Sequence, residues 1–205
     1  MLFHTPTDQS TTLVRDWNAL CFSAIEKEHG EACDRLLNGR PIQTFLERHP
    51  TKRSTNALRK HFDASYAEID LSSILYIVAG TEARVRDDAT RRMVRGSDPL
   101  GRSLARFYDL RKRKRNISFK EDILEAWKIY ARRQLRPGRD VDACVHAIGE
   151  FTEAWEIRHW IAHGRNWDVC RPVLGKAVDN AAKAADNLVA ALRRLAELGN
   201  IAPFA

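Results

Sequence analysis

Glycine and proline are scarce in this 205-residue chain, which has 10 and 7 of them against 34 lysines and arginines. So few turn-forming residues argue against a turn-rich β fold and favour long helices. No apolar run approaches the roughly 18 residues of a membrane-spanning helix, since the richest one extends only from Ile74 to Ala79. No basic region followed by an apolar run stands at the start, so we expect neither a signal peptide nor a membrane segment.

Cysteine is equally sparse. Cys21, Cys33, Cys144 and Cys170 show no CxxC spacing, which argues against a zinc knuckle. Their scatter is typical of a protein in the reducing cytosol. We therefore expect a cytoplasmic protein.

Apolar residues recur at helical spacing through most of the chain, and no segment shows the alternation of a strand. Asp98 is predicted to cap a helix that Pro99 opens, and Ser118 with Glu121 forms a capping box. The sequence predicts an all-α fold, an antiparallel helical bundle with core helices near 66–95, 118–134, 140–163 and 172–198. Residues 1–60 are predicted to add N-terminal helices that pack on a bundle of residues 61–205.

A net charge of +7 favours a polyanionic partner such as RNA, DNA or an acidic protein. The most basic segment is a run of five cations: Arg111, Lys112, Arg113, Lys114 and Arg115. Such a run can follow a nucleic-acid backbone through salt-dependent contacts that do not read sequence. The alternative is a solvated helix end, where cations complement the helix dipole. We favour nucleic-acid contact.

Reactive side chains concentrate between Arg158 and Arg165, at a predicted helix end. Two arginines, two histidines and a tryptophan lie within these eight residues, and helix ends often present functional groups. Arg158 has no acidic residue three or four positions away, so no partner on its own helix explains it. The structural alternative is a cation that only complements the helix dipole.

Two kinds of chemistry fit these residue types. His159 and His163 have the spacing of zinc ligands on one helix face, but Trp160 stands where the zinc-protease pattern has glutamate, and no third ligand is evident. Phosphodiester chemistry fits better, because histidine exchanges a proton near neutral pH and arginine offers phosphate a fixed fork of donors. With a 2′-hydroxyl as nucleophile, RNA could be cleaved without a metal or any other cofactor.

Arg158 and His163 are separated by about 140° of rotation on an ideal α-helix, so they do not share a face. Either the helix unwinds near Gly164, or a second subunit completes the site across a two-fold axis.

This pattern resembles the HEPN domain (higher eukaryotes and prokaryotes nucleotide-binding). The family's motif is an arginine, four to six residues and a histidine, with Asn, Asp or His favoured just after the arginine. Arg158 and His163 match its ends, and His159 matches the polar position. Ala162-His163-Gly164 is similar to an ending common in bacterial members. Leu71–Asp88, Asp98–Leu100 and Glu121–Lys128 also resemble one bacterial group, so that the resemblance covers residues 60–198.

The resemblance implies a metal-independent endoribonuclease acting as a homodimer, with one Arg158 and one His163 from each subunit in a shared cleft. Many members are toxins with an antitoxin partner or effectors of anti-phage defence. Others are catalytically inactive and only bind nucleotides or proteins. Because both ends of the motif are present, we favour an active enzyme over an inactive HEPN-like module that binds nucleic acid or protein.

Two more residues are candidates to support the pair. Glu82, on the facing helix, could orient Arg158 or His163, or could simply pair with Arg86 one helical turn away. Arg165, just past the predicted helix end, is a candidate for contact with a substrate phosphate.

Overall fold

Helices dominate the part of the chain that the computed structural model describes, which is residues 10–40, 55–112, 117–162 and 177–204. In these ranges there are six α-helices and one π-helical segment, and no strand. They are α1 (Ser10–Leu37), α2 (Thr55–Arg95), α3 (Pro99–Lys112), the π-helical segment Phe119–Leu124, α4 (Glu125–Gln134), α5 (Arg139–Ala162) and α6 (Ala177–Leu198). The predicted all-α fold is confirmed. None of the described helices is both long enough and apolar enough to cross a membrane.

The main core lies where α2, α5 and α6 pack together, with α3 and α4 closing one side. Trp127, Phe151 and Leu188 are fully buried in it. The face that α6 turns to the core is rich in alanine, and its buried alanines are Ala181, Ala182, Ala184, Ala185, Ala191 and Ala196. Small side chains let helix backbones approach closely, so α6 contacts both α5 and α2.

The N-terminal helix α1 packs along α2 and also reaches α6. A second, smaller core forms where Ala32 of α1 meets Leu58 and Phe62 of α2. The sequence predicts a short helix through Leu58 and Phe62 and a separate core helix from about residue 66. Because these two apolar residues pack on α1, both segments form one helix, which begins at Thr55. The helix runs without a break through residue 60, where the N-terminal extension was predicted to meet the bundle.

Side-chain caps fix the starts of two helices. The Asp98 carboxylate accepts a hydrogen bond of 2.6 Å from the Gly101 amide, and the Ser118 hydroxyl accepts one of 3.2 Å from the Glu121 amide, as the sequence predicts. In a capping box the Ser118 amide would donate to the side chain of Glu121. Here it donates to the carboxylate of Asp122, at 2.7 Å. The wider π-helical turn brings Asp122, one residue later than in a capping box, back beneath the cap.

Cys144 of α5 is buried in the main core. Burial raises the pKa of its thiol, and the charge of Asp140 acts in the same direction. Because the thiolate is the reactive species, we expect iodoacetamide at neutral pH to modify Cys144 far more slowly than the partly exposed Cys21 and Cys33. Peptide mapping by mass spectrometry over a time course measures the three rates, and equal rates would contradict the expectation.

Candidate functional site

Glu82 lies in the middle of α2 and is buried where α2 faces α5. It shares the inner face of the helix with Val78 and Val85, which are fully buried. Helical periodicity therefore carries a carboxylate into the contact between two helices. A charge in such a place needs nearby donors or cations, and both of its oxygens have them.

The Glu82 carboxylate contacts two arginines and one indole. Oε1 of Glu82 accepts a hydrogen bond from Arg86 Nε, and Arg86 Nη2 lies equally close, both at 2.8 Å. Oε2 accepts from the Trp155 indole at 2.9 Å, while Arg158 Nη1 lies 3.6 Å from the same oxygen. One negative charge thus faces two positive charges, so this group of side chains carries a net positive charge.

Arg86 links this group to the rest of the fold. Its Nη1 donates to the backbone carbonyl of Ile117 at 3.3 Å, and its guanidinium lies 5.3 Å from the centre of the Phe119 ring. These contacts tie α2 to the π-helical segment. The position of Arg86 is therefore explained by packing and hydrogen bonding alone.

Arg158 is held more loosely, in the last turns of α5. Its side chain is 27% exposed, and its distance to Glu82 is that of an ion pair but too long for a good hydrogen bond. Its Nε is buried and has no hydrogen-bond partner among the described residues. Since a guanidinium has five N–H donors, the contacts with described residues leave donors on the Nη atoms of Arg158 for an anion that approaches from solvent.

An aromatic stack positions the indole that contacts Glu82. The His159 and Trp155 rings are stacked with centroids 5.4 Å apart, and Trp155 packs in turn on Phe119 at 5.9 Å. The stack holds His159 against its own helix, partly buried. Periodicity in the sequence assigns Trp155 only to the core and misses its hydrogen bond. This hydrogen bond could have been anticipated only from the general rule that a buried indole N–H needs an acceptor.

Of the predicted catalytic and supporting residues, the described part of the chain contains Glu82, Arg158 and His159, and it places all three around Trp155. His163 and Arg165 lie outside the described residues. So do Arg113, Lys114 and Arg115, while Arg111 and Lys112 belong to the last turn of α3. In the described ranges, no three His, Cys, Asp or Glu residues form a group that could hold a metal ion.

Comparison of the chain with protein-family models, with curated proteins and with solved structures finds no match. The resemblance to the HEPN domain therefore rests on the Arg158–His163 motif and on the helices around it, and membership of that family stays a prediction.

Proposed function

We propose that this protein is a metal-independent endoribonuclease that cleaves RNA at a composite site across a homodimer, with Arg158 and His163 as the catalytic pair. The observation that supports this most is the guanidinium of Arg158. It forms an ion pair with Glu82 on one side, lies in a group of net positive charge, and remains partly exposed. A cation that already lies at the site before the reaction stabilises the extra negative charge of a phosphorane transition state.

In this mechanism histidine moves the protons. His163 of one subunit takes the proton from a 2′-hydroxyl, and the oxygen attacks the adjacent phosphorus. The bond to the 5′-oxygen breaks, and that oxygen receives a proton from the partner's copy of the same histidine. The products are a 2′,3′-cyclic phosphate and a 5′-hydroxyl. Glu82 acts through Arg158 as a positioning residue, and Arg165 adds a phosphate contact.

The biological role belongs to the same proposal. An endoribonuclease of this kind would act in the cytoplasm as a toxin or as an effector of anti-phage defence, and would need an antitoxin or another regulatory protein to restrain it. Expression of the wild-type chain is then expected to slow the growth of its host, and His163→Ala to relieve this.

Purified protein incubated with total RNA tests the chemistry directly. We expect cleavage in the presence of EDTA, with cyclic phosphate at the new 3′ ends, and none from His163→Ala although its circular dichroism and its elution as a dimer are unchanged. Inhibition by EDTA or 3′-hydroxyl ends would point to a metal-dependent mechanism. A wild-type protein with no activity would be an inactive HEPN-like binding module.

A further inference from the structure

Five helix ends meet at the end of the bundle that is remote from Arg158. They are the last turns of α2, α4 and α6 and the first turns of α3 and α5. Close contacts join them. Arg194 bonds Asp140 at 2.8 Å, and Arg92 bonds the Ala202 carbonyl at 2.8 Å. Gly101 packs on the Arg92 carbonyl, and Gly199 packs on Tyr130 so closely that an added Cβ would lie 1.7 Å from the hydroxyl. The topology therefore gathers segments that are distant in sequence.

These segments are rich in arginine. Residues 91–102, 132–139 and 193–198 contain no lysine, and their acidic residues are Asp98 and Glu197. We call their nine exposed arginines the arginine end, and they are Arg91, Arg95, Arg102, Arg132, Arg133, Arg136, Arg139, Arg193 and Arg194. Arg91 pairs with Asp87, and Arg194 pairs with Asp140 and Glu197. Asp98 lies beside the buried Arg92, so the nine arginines still outnumber the acids near them.

Helix dipoles explain only part of this charge. Cations in the last turns of α2 and α4 are favourable there, whereas the last turn of α6 has none. Arg102 and Arg139, however, lie in the first turns of α3 and α5, where the dipole disfavours a cation, and Arg136 lies between two helices. No acidic side chain in the described ranges pairs with six of the nine, Arg95, Arg102, Arg132, Arg133, Arg136 and Arg139. Stability of the fold therefore does not account for Arg102, Arg136 and Arg139.

We propose that the arginine end binds the phosphodiester backbone of a nucleic acid, which in the proposed function is the RNA substrate. The planar fork of arginine fits phosphate oxygens better than a lysine ammonium does. Arg139 and Arg158 lie on the same helix, about 28 Å apart along its axis. A strand that reaches both must span this distance without following the exposed face of α5, which carries Asp142, Glu150, Glu153 and Glu156. The inference extends the proposed function, because it names where the substrate is held.

Charge-neutral variants test the surface. Arg132→Gln/Arg133→Gln/Arg136→Gln removes three charges without breaking an ion pair of the described residues. The matched control, Lys27→Gln/Lys60→Gln/Lys183→Gln, removes three exposed charges elsewhere. Fluorescence anisotropy at several salt concentrations measures binding of a labelled 2′-O-methyl RNA, which cannot be cleaved, and of a single-stranded DNA of the same sequence.

We expect the Kd for the RNA to rise at least about tenfold in the arginine variant, and the slope of log K against log salt to become shallower by about 2. The control should change the Kd less than about twofold. Equal loss in both variants overturns the proposal, as does wild-type protein that binds neither strand. An unchanged Kd in the arginine variant also overturns it.

The DNA strand separates two sources of the same phosphodiester chemistry. Binding of DNA as tight as that of RNA supports a surface that reads the backbone alone, and weaker DNA binding supports one that prefers RNA. Failure of the proposed function looks different from failure of this inference. A protein that binds the 2′-O-methyl RNA through the arginine end but leaves ordinary RNA intact is a binding module and no ribonuclease.

Discussion

Replacing Arg158 by lysine is expected to lower kcat for RNA cleavage by roughly 10²- to 10³-fold, with little change in KM. The substitution keeps the positive charge but removes the planar fork of donors. An ammonium that stays near Glu82 cannot also make two hydrogen bonds to the phosphorane. Single-turnover cleavage of a labelled RNA, followed over a range of RNA concentrations, separates the two constants.

Arg86 supplies the control, because it contacts the same carboxylate. Arg86→Lys is expected to lower the melting temperature, since lysine cannot reproduce the contacts with the Ile117 carbonyl and the Phe119 ring. Cleavage by this variant should stay within a few-fold of wild type at temperatures where it is folded. Equal loss of kcat from both substitutions would mean that the group around Glu82 acts only as a structural unit.

The fold was largely predictable because most of its signals are local. Apolar spacing and caps such as Asp98 predict helices directly, and the described helices follow them. The local signals predicted a short helix through Leu58 and Phe62 but not its continuity with the helix that follows. Leu58 and Phe62 become part of a long helix because they pack on Ala32 of α1, and that contact joins residues far apart in sequence.

The candidate site depends still more on contacts between helices. The absence of an acidic neighbour on its own helix does indicate that a partner for Arg158 must come from another element, and Glu82 of α2 lies within ion-pair distance. Sequence spacing predicts the pair of Glu82 with Arg86, but it does not predict how α2 and α5 pack. That packing decides that Trp155 donates to the same carboxylate.

Two neighbouring ion pairs of α2 also show that sequence spacing alone does not predict burial. Asp87–Arg91 and Asp88–Arg92 have identical spacing, so the i,i+4 rule alone does not separate them. The signal that does is the apolar face: Arg92 follows the buried Ala89 by three residues. Burial of one pair and exposure of the other give the two arginines very different expected roles in stability.

Arg92→Met is expected to lower the free energy of unfolding by about 3–5 kcal/mol, because it leaves the buried Asp88 and the partly buried Asp98 without this cation. The Arg92 guanidinium bonds Asp88 at 2.7 Å, Asp98 at 3.4 Å and the Ala202 carbonyl at 2.8 Å, and it lies over Trp127 at 4.9 Å. For a chain of this size such a loss lowers the melting temperature by about 6–20 °C. Urea unfolding followed by circular dichroism measures it.

Arg91→Met is the matched control, since Arg91 pairs with Asp87 one residue earlier on the same helix. The side chains of that pair are 49% and 39% exposed, against 3% and 4% for Arg92 and Asp88. Water solvates Asp87 once its partner is gone, so the free energy of unfolding should stay nearly unchanged. Equal destabilisation by the two substitutions would show that pairing along the helix, and not the buried contacts of Arg92, stabilises this end of the bundle.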